Sequence, residues 1–205
     1  RHHKGQIYFA LGTAKHSETL EDYIVYETRY NNPLSKLWIR PKKMFEESII
    51  KDGLSIERFT PLQWTIVEKS IPTDHDINEI IQISELVFGK SYPDKLKSEL
   101  NASTRWLFLF VKTPDNKTVG FKYGKAKNSS EFFSANGAVL PEFRNLGIGS
   151  LLMKKQHDWV KKNGFQRIDT KTRNHFPDML RLNLKFGYQI IGCTTEGGKP
   201  KIHVS

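Results

Sequence analysis

The stretch that most limits how this chain can fold runs from Glu131 to Lys162. Glu131 to Leu140 reads as a strand that ends at Pro141. A turn with two glycines follows, Arg144-Asn145-Leu146-Gly147-Ile148-Gly149. An amphipathic helix then starts at once, with Ile148, Leu151, Leu152, Trp159 and Val160 at helical spacing. The first N–H groups of such a helix have no intrahelical partner, and the helix dipole places partial positive charge there. Gly147 and Gly149 remove Cβ atoms, so the backbone can approach a pyrophosphate, and Arg144 adds a charge suited to phosphate. Two glycines before a helix are, by themselves, equally the mark of a tight turn with close helix packing.

The surrounding pattern divides the chain. Residues 5–50 read as short strands: Gln6 to Leu11, Tyr23 to Tyr30, Leu37 to Arg40 and Met44 to Ile50. Turn residues separate them at Asn31-Asn32-Pro33, Arg40-Pro41 and Asp52-Gly53. This predicts a small barrel or roll over residues 1–60, with a boundary near Arg58 to Leu62 and a second domain over 61–205. That second part reads as a strand at Trp64 to Glu68, helices at Asp74 to Phe88 and Asp94 to Leu100, and three strands at Arg105 to Lys112, Lys117 to Ala126 and Glu131 to Leu140. After them come a helix at Gly147 to Lys162, a strand at Gln166 to Thr172, a helix at Pro177 to Phe186, and strands at Tyr188 to Cys193 and Lys201 to Val204.

Charge narrows the partners. The net charge is +10, and only +2 of it lies in residues 1–60, which hold ten Lys/Arg and eight Asp/Glu. Between Pro141 and Lys185 ten basic residues face four acidic ones. The excess therefore gathers around the glycine turn, which implies an anionic partner. No apolar run approaches the ~20 residues that span a bilayer, so no membrane partner is expected. Basic and aromatic residues are not interleaved as single-strand binding uses them, so nucleic acid is not the favoured partner.

The turn and its setting resemble the central motif of the GNAT superfamily, the Gcn5-related N-acetyltransferases. The residues that carry the resemblance are Val139-Leu140-Pro141 and Arg144-Asn145-Leu146-Gly147-Ile148-Gly149, with Asn174 after the next strand and Phe186-Gly187-Tyr188 closing the next helix. The element order over about residues 64–205 agrees. The resemblance implies an α/β (α+β) mixed sheet flanked by helices and an acetyl-CoA-dependent N-acetyltransferase that needs no metal. It also implies direct attack by a primary amine, from a small molecule or a protein, in a ternary complex. Val139 and Leu140 would contact the pantetheine arm, and the strand ending at Leu140 should splay from Gln166 to Thr172 to admit it. The N–H groups of Asn145 to Ser150 would hold the pyrophosphate, with Arg144 and Asn174 beside the cofactor. Many family members carry a Tyr acid where this chain has Asn183, which can donate a hydrogen bond but no proton. Glu131 and Asp169 are the candidate bases, with His157 and His175 weaker ones.

Residues 3–59 resemble a small bacterial family of unknown function with an SH3-like barrel. That resemblance rests on Gly5, Ala14 to Thr19, Val25-Tyr26, Leu37 to Pro41 and Met44-Phe45, and it implies no activity. His2, His3 and His16 fit no metal-ligand spacing. The single cysteine, Cys193, excludes an internal disulfide, fits a reducing cytoplasm and reads as a small packing residue. A homodimer is compatible with the sequence. Two alternatives stand beside the enzyme: a non-catalytic acyl-CoA-binding or sensory module, and an acetyltransferase associated with RNA or the ribosome.

Overall fold

The computed structural model describes residues 1–91, 93–102 and 105–205. They form two compact units, Arg1–Gln63 and Trp64–Ser205.

In the first unit β1 (Tyr8–Lys15), β2 (Asp22–Thr28) and β3 (Leu37–Pro41) make an antiparallel sheet in that order. A single helical turn, α1 (Lys42–Glu46), follows, and β4 (Ser48–Lys51) and β5 (Leu54–Glu57) form a separate hairpin. Asp52 and Gly53 both take positive φ at its tip, which suits the twist of a two-residue hairpin turn. The strand expected over Met44 to Ile50 is corrected here: it begins only at Ser48, and Leu54–Glu57 adds a strand that the sequence pattern did not show. Pro41 ends the pairing of β3, and the helical turn brings Phe45 onto Phe59 (ring centroids 4.1 Å apart, stacked) and beside Tyr26 (5.6 Å). A strand would have turned Met44 and Phe45 to opposite faces. Tyr8, Tyr26, Phe45 and Phe59 form the ring cluster of this unit.

The second unit is a seven-stranded mixed sheet flanked by helices. It runs through β6 (Thr65–Lys69), α2 (Asp74–Phe88), α3 (Pro93–Ala102), β7 (Trp106–Lys112), β8 (Thr118–Ala126) and β9 (Glu131–Val139). It continues through α4 (Ile148–Lys162), β10 (Arg167–Thr172), α5 (Pro177–Lys185), β11 (Ile190–Glu196) and β12 (Lys199–Val204). The strand order is β11-β12-β10-β9-β8-β7-β6, and β9 with β10 is the parallel pair. All of β7 is buried, as a near-continuous apolar strand must be when both sheet faces are covered. A capping box starts α2: Asp76, 1% exposed, accepts from the Thr73 N–H and hydroxyl and from Lys69 Nζ, and the Thr73 hydroxyl accepts from the Asp76 N–H.

Two features aim the sheet at a site. Tyr123 pairs with Asn136 and Gly124 with Ser134, so Ala135 is an extra residue that bulges β9. A Cβ on Gly124 would lie 2.4 Å from the Phe132 ring, so only glycine allows the strands this approach. Parallel pairing of β9 with β10 also stops at Ser134–Thr170. From Ala135 to Val139 the two strands diverge, and β10 continues by pairing with β12 through Thr172.

Candidate active site

The divergent end of β9 leads straight into α4. Leu140 donates its N–H to the Val119 carbonyl, and its own carbonyl accepts from Phe143. In an antiparallel ladder the backbone polar groups alternate sides. Val139, one residue earlier, therefore presents its N–H and C=O to the gap beside β10, whereas both groups of Leu140 are engaged in the fold. Arg144 folds back over this edge, its Nε donating to the Val139 carbonyl at 3.2 Å.

The turn itself rests on two left-handed residues, Asn145 (φ 59°) and Gly147 (φ 83°). Gly147 is the N-cap of α4, and no side chain caps the helix. A Cβ on Gly147 would meet nothing within 4 Å, so the space above the first turn is open. One on Gly149 would lie 3.3 Å from Leu182, which ties that glycine to the packing of α4 on α5. Leu146, Ile148, Gly149 and Ser150 thus sit around an uncapped helix start at the mouth of a gap in the sheet. Asn174 lies farther along, exposed in the turn after β10.

Beneath α4 and α5 lies a layer of buried polar groups. Asn183 is fully buried, and neither amide atom has a hydrogen-bond partner among the described residues. The same holds for both amide atoms of Gln156 and for the hydroxyls of Ser134 and Thr172. Phe132 packs on Trp159 of α4, so Ser134, two residues on, faces the same layer. Thr172 shares its face of β10 with Thr170, whose hydroxyl donates to the Ser134 carbonyl at 2.8 Å. A Cβ on Gly120 would meet Ile148, which puts Lys122 on the α4 side as well. Lys122 is 6% exposed, forms no ion pair among the described residues, and burial pushes its ammonium down to about 8. An apolar sequence run hid this group: Lys122 stands between Phe121 and Tyr123 with no local partner to signal it.

The two carboxylates singled out from the sequence lie together at the other end of β9 and β10. Lys127 bridges them, 2.9 Å from Glu131 and 2.9 Å from Asp169, and Arg167 Nε donates to Asp169 at 2.7 Å. The hydrogen bond and charge of Lys127 lower the Glu131 pKa. Burial alone would raise Asp169, but hydrogen bonds from Ser205, Lys127 and Arg167 outweigh it and hold the carboxyl below its ordinary value. Both are therefore stable anions and weak proton acceptors. His157 is lowered by burial and then by the Lys122 charge, and its Nε2 lies 3.3 Å from the Tyr188 hydroxyl. His175 is exposed against Phe176. Cys193, expected to pack inside, is instead exposed on β11, the edge strand of the sheet.

A family model described as Acetyltransferase (GNAT) family matches residues 77–188, more than half of the chain. The chain belongs to the GNAT family. It is an acetyltransferase, and GNAT enzymes carry out acetyl-CoA-dependent acyl transfer. A second model, described as a protein of unknown function (DUF1653), matches residues 1–61. No curated protein matches the chain in sequence. Solved GNAT structures share the fold of the second unit. The ribosomal-protein-S18-alanine N-acetyltransferase of Escherichia coli is 18% identical (TM-score 0.58), the match covering 68% of this chain and 92% of that one. Ard1 from Thermoplasma volcanium is 20% identical (TM-score 0.59), with 69% and 95% covered. A GNAT family acetyltransferase from Elizabethkingia anophelis with acetyl-CoA bound is 19% identical (TM-score 0.51), with 69% and 95% covered. The residues around the gap suit the cosubstrate of a GNAT enzyme: an open, uncapped helix start for phosphates, a backbone edge at Val139 that no strand pairs, and polar side chains at Ser134, Thr172 and Asn183 without hydrogen-bond partners among the described residues.

Proposed function

We propose that this chain is an N-acetyltransferase whose acceptor is a primary amine, with acetyl-CoA bound in the gap between β9 and β10. The carrying observation is that strand pairing stops at Ser134–Thr170 beside an uncapped α4. Bound acetyl-CoA supplies the activated acetyl group, which the amine takes directly in a ternary complex. The N–H groups of Leu146 to Ser150 hold the pyrophosphate, and Arg144 adds positive charge beside it. Asn174 lies at the rim, and the Val139 backbone offers one donor and one acceptor to the pantetheine arm, next to Leu140.

Asn183 stands where a proton donor is common in the family. Its amide N–H groups stabilise the leaving sulfur by hydrogen bonding, without giving up a proton. An alkylammonium acceptor, with pKa of about 10, must first lose its proton. Asp169 and Glu131, held as ion-paired anions by Lys127 and Arg167, are weak acceptors for that proton, and water carries it away. This chemistry is assigned wholly to the second domain, with the first as a binding or docking appendage.

Calorimetric titration with acetyl-CoA tests the reading, with free CoA and a thioester lacking the phosphates as controls. Binding should need the phosphates. Gly147→Glu, which places bulk and negative charge over the turn, should abolish it while the circular dichroism spectrum is kept. Unchanged affinity in a folded Gly147→Glu protein sinks the assignment of the turn.

A further inference from the structure

On the sheet face away from α4, a cavity of about 1040 Å³ lies along the paired stretch of β9 and β10 and the β8–β9 turn, with Thr170 of the last pair in its wall. Phe133 lines it, the neighbour of the Phe132 that packs beneath α4, so the two rings point to opposite faces. Its charged wall is Arg105, Lys125, Lys127, Arg167, Lys171 and Asp169. Three carboxylates answer these five cations: Glu99 holds Lys125 at 2.9 Å, Glu131 holds Lys127, and Asp169 holds Lys127 and Arg167. Lys171 is exposed and forms no ion pair among the described residues. Arg105 donates to the Asn163 carbonyl at 3.3 Å and lies 4.6 Å over the Phe165 ring, with no carboxylate partner among the described residues. Two positive charges are left over in a concave wall, where the field is focused. Asp169 does not offset them for a ligand, because its oxygens are already held by Lys127, Arg167 and Ser205.

We infer that the acceptor taken at this cavity is a small amine that also carries an anionic group, a carboxylate or a phosphate, held by Lys171 and Arg105. The inference rests on the acetyl-transfer reading above and names its substrate class. A polyamine or a lysine-rich tail would meet like charge, which is strongly disfavoured. The volume is that of a small-molecule site. The same field favours the chemistry: positive neighbours disfavour the ammonium form of the amine, and so raise the share of the attacking free base.

The full chain is assayed with acetyl-CoA and four amines of similar length: β-alanine, 2-aminoethyl phosphate, propylamine and 1,3-diaminopropane, with products followed by mass spectrometry. One of the two anionic amines should exceed the diamine in kcat/KM by roughly tenfold or more, and which one does so decides between carboxylate and phosphate. Lys171→Glu should cut that preference roughly five- to tenfold and leave acetyl-CoA affinity unchanged. Preference for the neutral or cationic amine, or a preference untouched by Lys171→Glu, overturns the inference. Should none of the four react, amide chemical shifts with added phosphate or propionate decide. Shifts centred on Lys171 and Arg105 that vanish in Lys171→Glu support the inference, and their absence overturns it. If acetyl-CoA does not bind at all, the transferase reading fails first, and the anion titration still judges the cavity.

Discussion

Asn183 and Lys122 are polar residues buried where apolar ones would be more stable, which sets a test for each. An unsatisfied buried amide costs about 1–3 kcal/mol of desolvation, and an apolar group of the same shape avoids it. Asn183→Leu should therefore leave the free protein as stable or more stable in urea unfolding, yet lower kcat roughly tenfold or more with little change in acetyl-CoA affinity. A large loss of stability would mean that Asn183 holds the fold together, and unchanged turnover would remove its role at the sulfur. Lys122 gives a pH signature. Its ammonium is held at about 8 in the folded protein against the ordinary 10.5, so the folded state binds this proton more weakly. Stability from this group rises with pH between about 8 and 10.5, and the cost of burying the charge is fully present below about 8. Lys122→Met should stabilise the protein at pH 7 by up to about 3 kcal/mol. The gain should shrink at pH 10, and a gain equal at both pH values would contradict the burial argument. Neither residue announces its burial in the sequence, because a lysine or asparagine among apolar neighbours reads as one polar letter. Asn183 stands out in the sequence only because the family resemblance puts a Tyr acid at its position.

At the scale of elements, the parts with strong periodicity were legible. α2 spans Asp74–Phe88 as its apolar spacing, Thr73 cap and Gly89 stop require. β7 follows from six consecutive apolar residues. What was not legible depends on contacts distant in sequence. Lys42–Glu46 folds as a helical turn because Phe59 receives Phe45, and Ala135 bulges because of how β8 lies against it. Gly124 belongs to that bulge, and its need for glycine appears only when the Phe132 ring is set against it. Gly124→Ala should cost roughly 1–3 kcal/mol, since a methyl group there forces ring and backbone apart. Denaturant unfolding reads this, and wild-type stability would mean that the strands relax freely. The glycine turn was legible as a turn leading into α4, with Gly147 as the N-cap where the sequence pattern had started the helix. The ion-paired state of Glu131 and Asp169 was not, since Lys127 and Arg167 reach them only once β9 and β10 lie side by side.

At the scale of the whole molecule, every residue assigned to the cosubstrate lies in Trp64–Ser205. That unit produced alone should bind acetyl-CoA with the affinity of the full chain. Calorimetry checks this, and a folded fragment that fails to bind would give Arg1–Gln63 a part in the site. The divergence of β9 and β10 has a consequence for exchange with solvent. The sheet is short of partners for part of one central strand, so the Val139 amide hydrogen should trade with deuterium quickly in the free protein, while its neighbour Leu140, bonded to Val119, trades slowly. A cosubstrate that lies along β9 would slow Val139 alone, and one backbone amide would then report whether the enzyme is loaded.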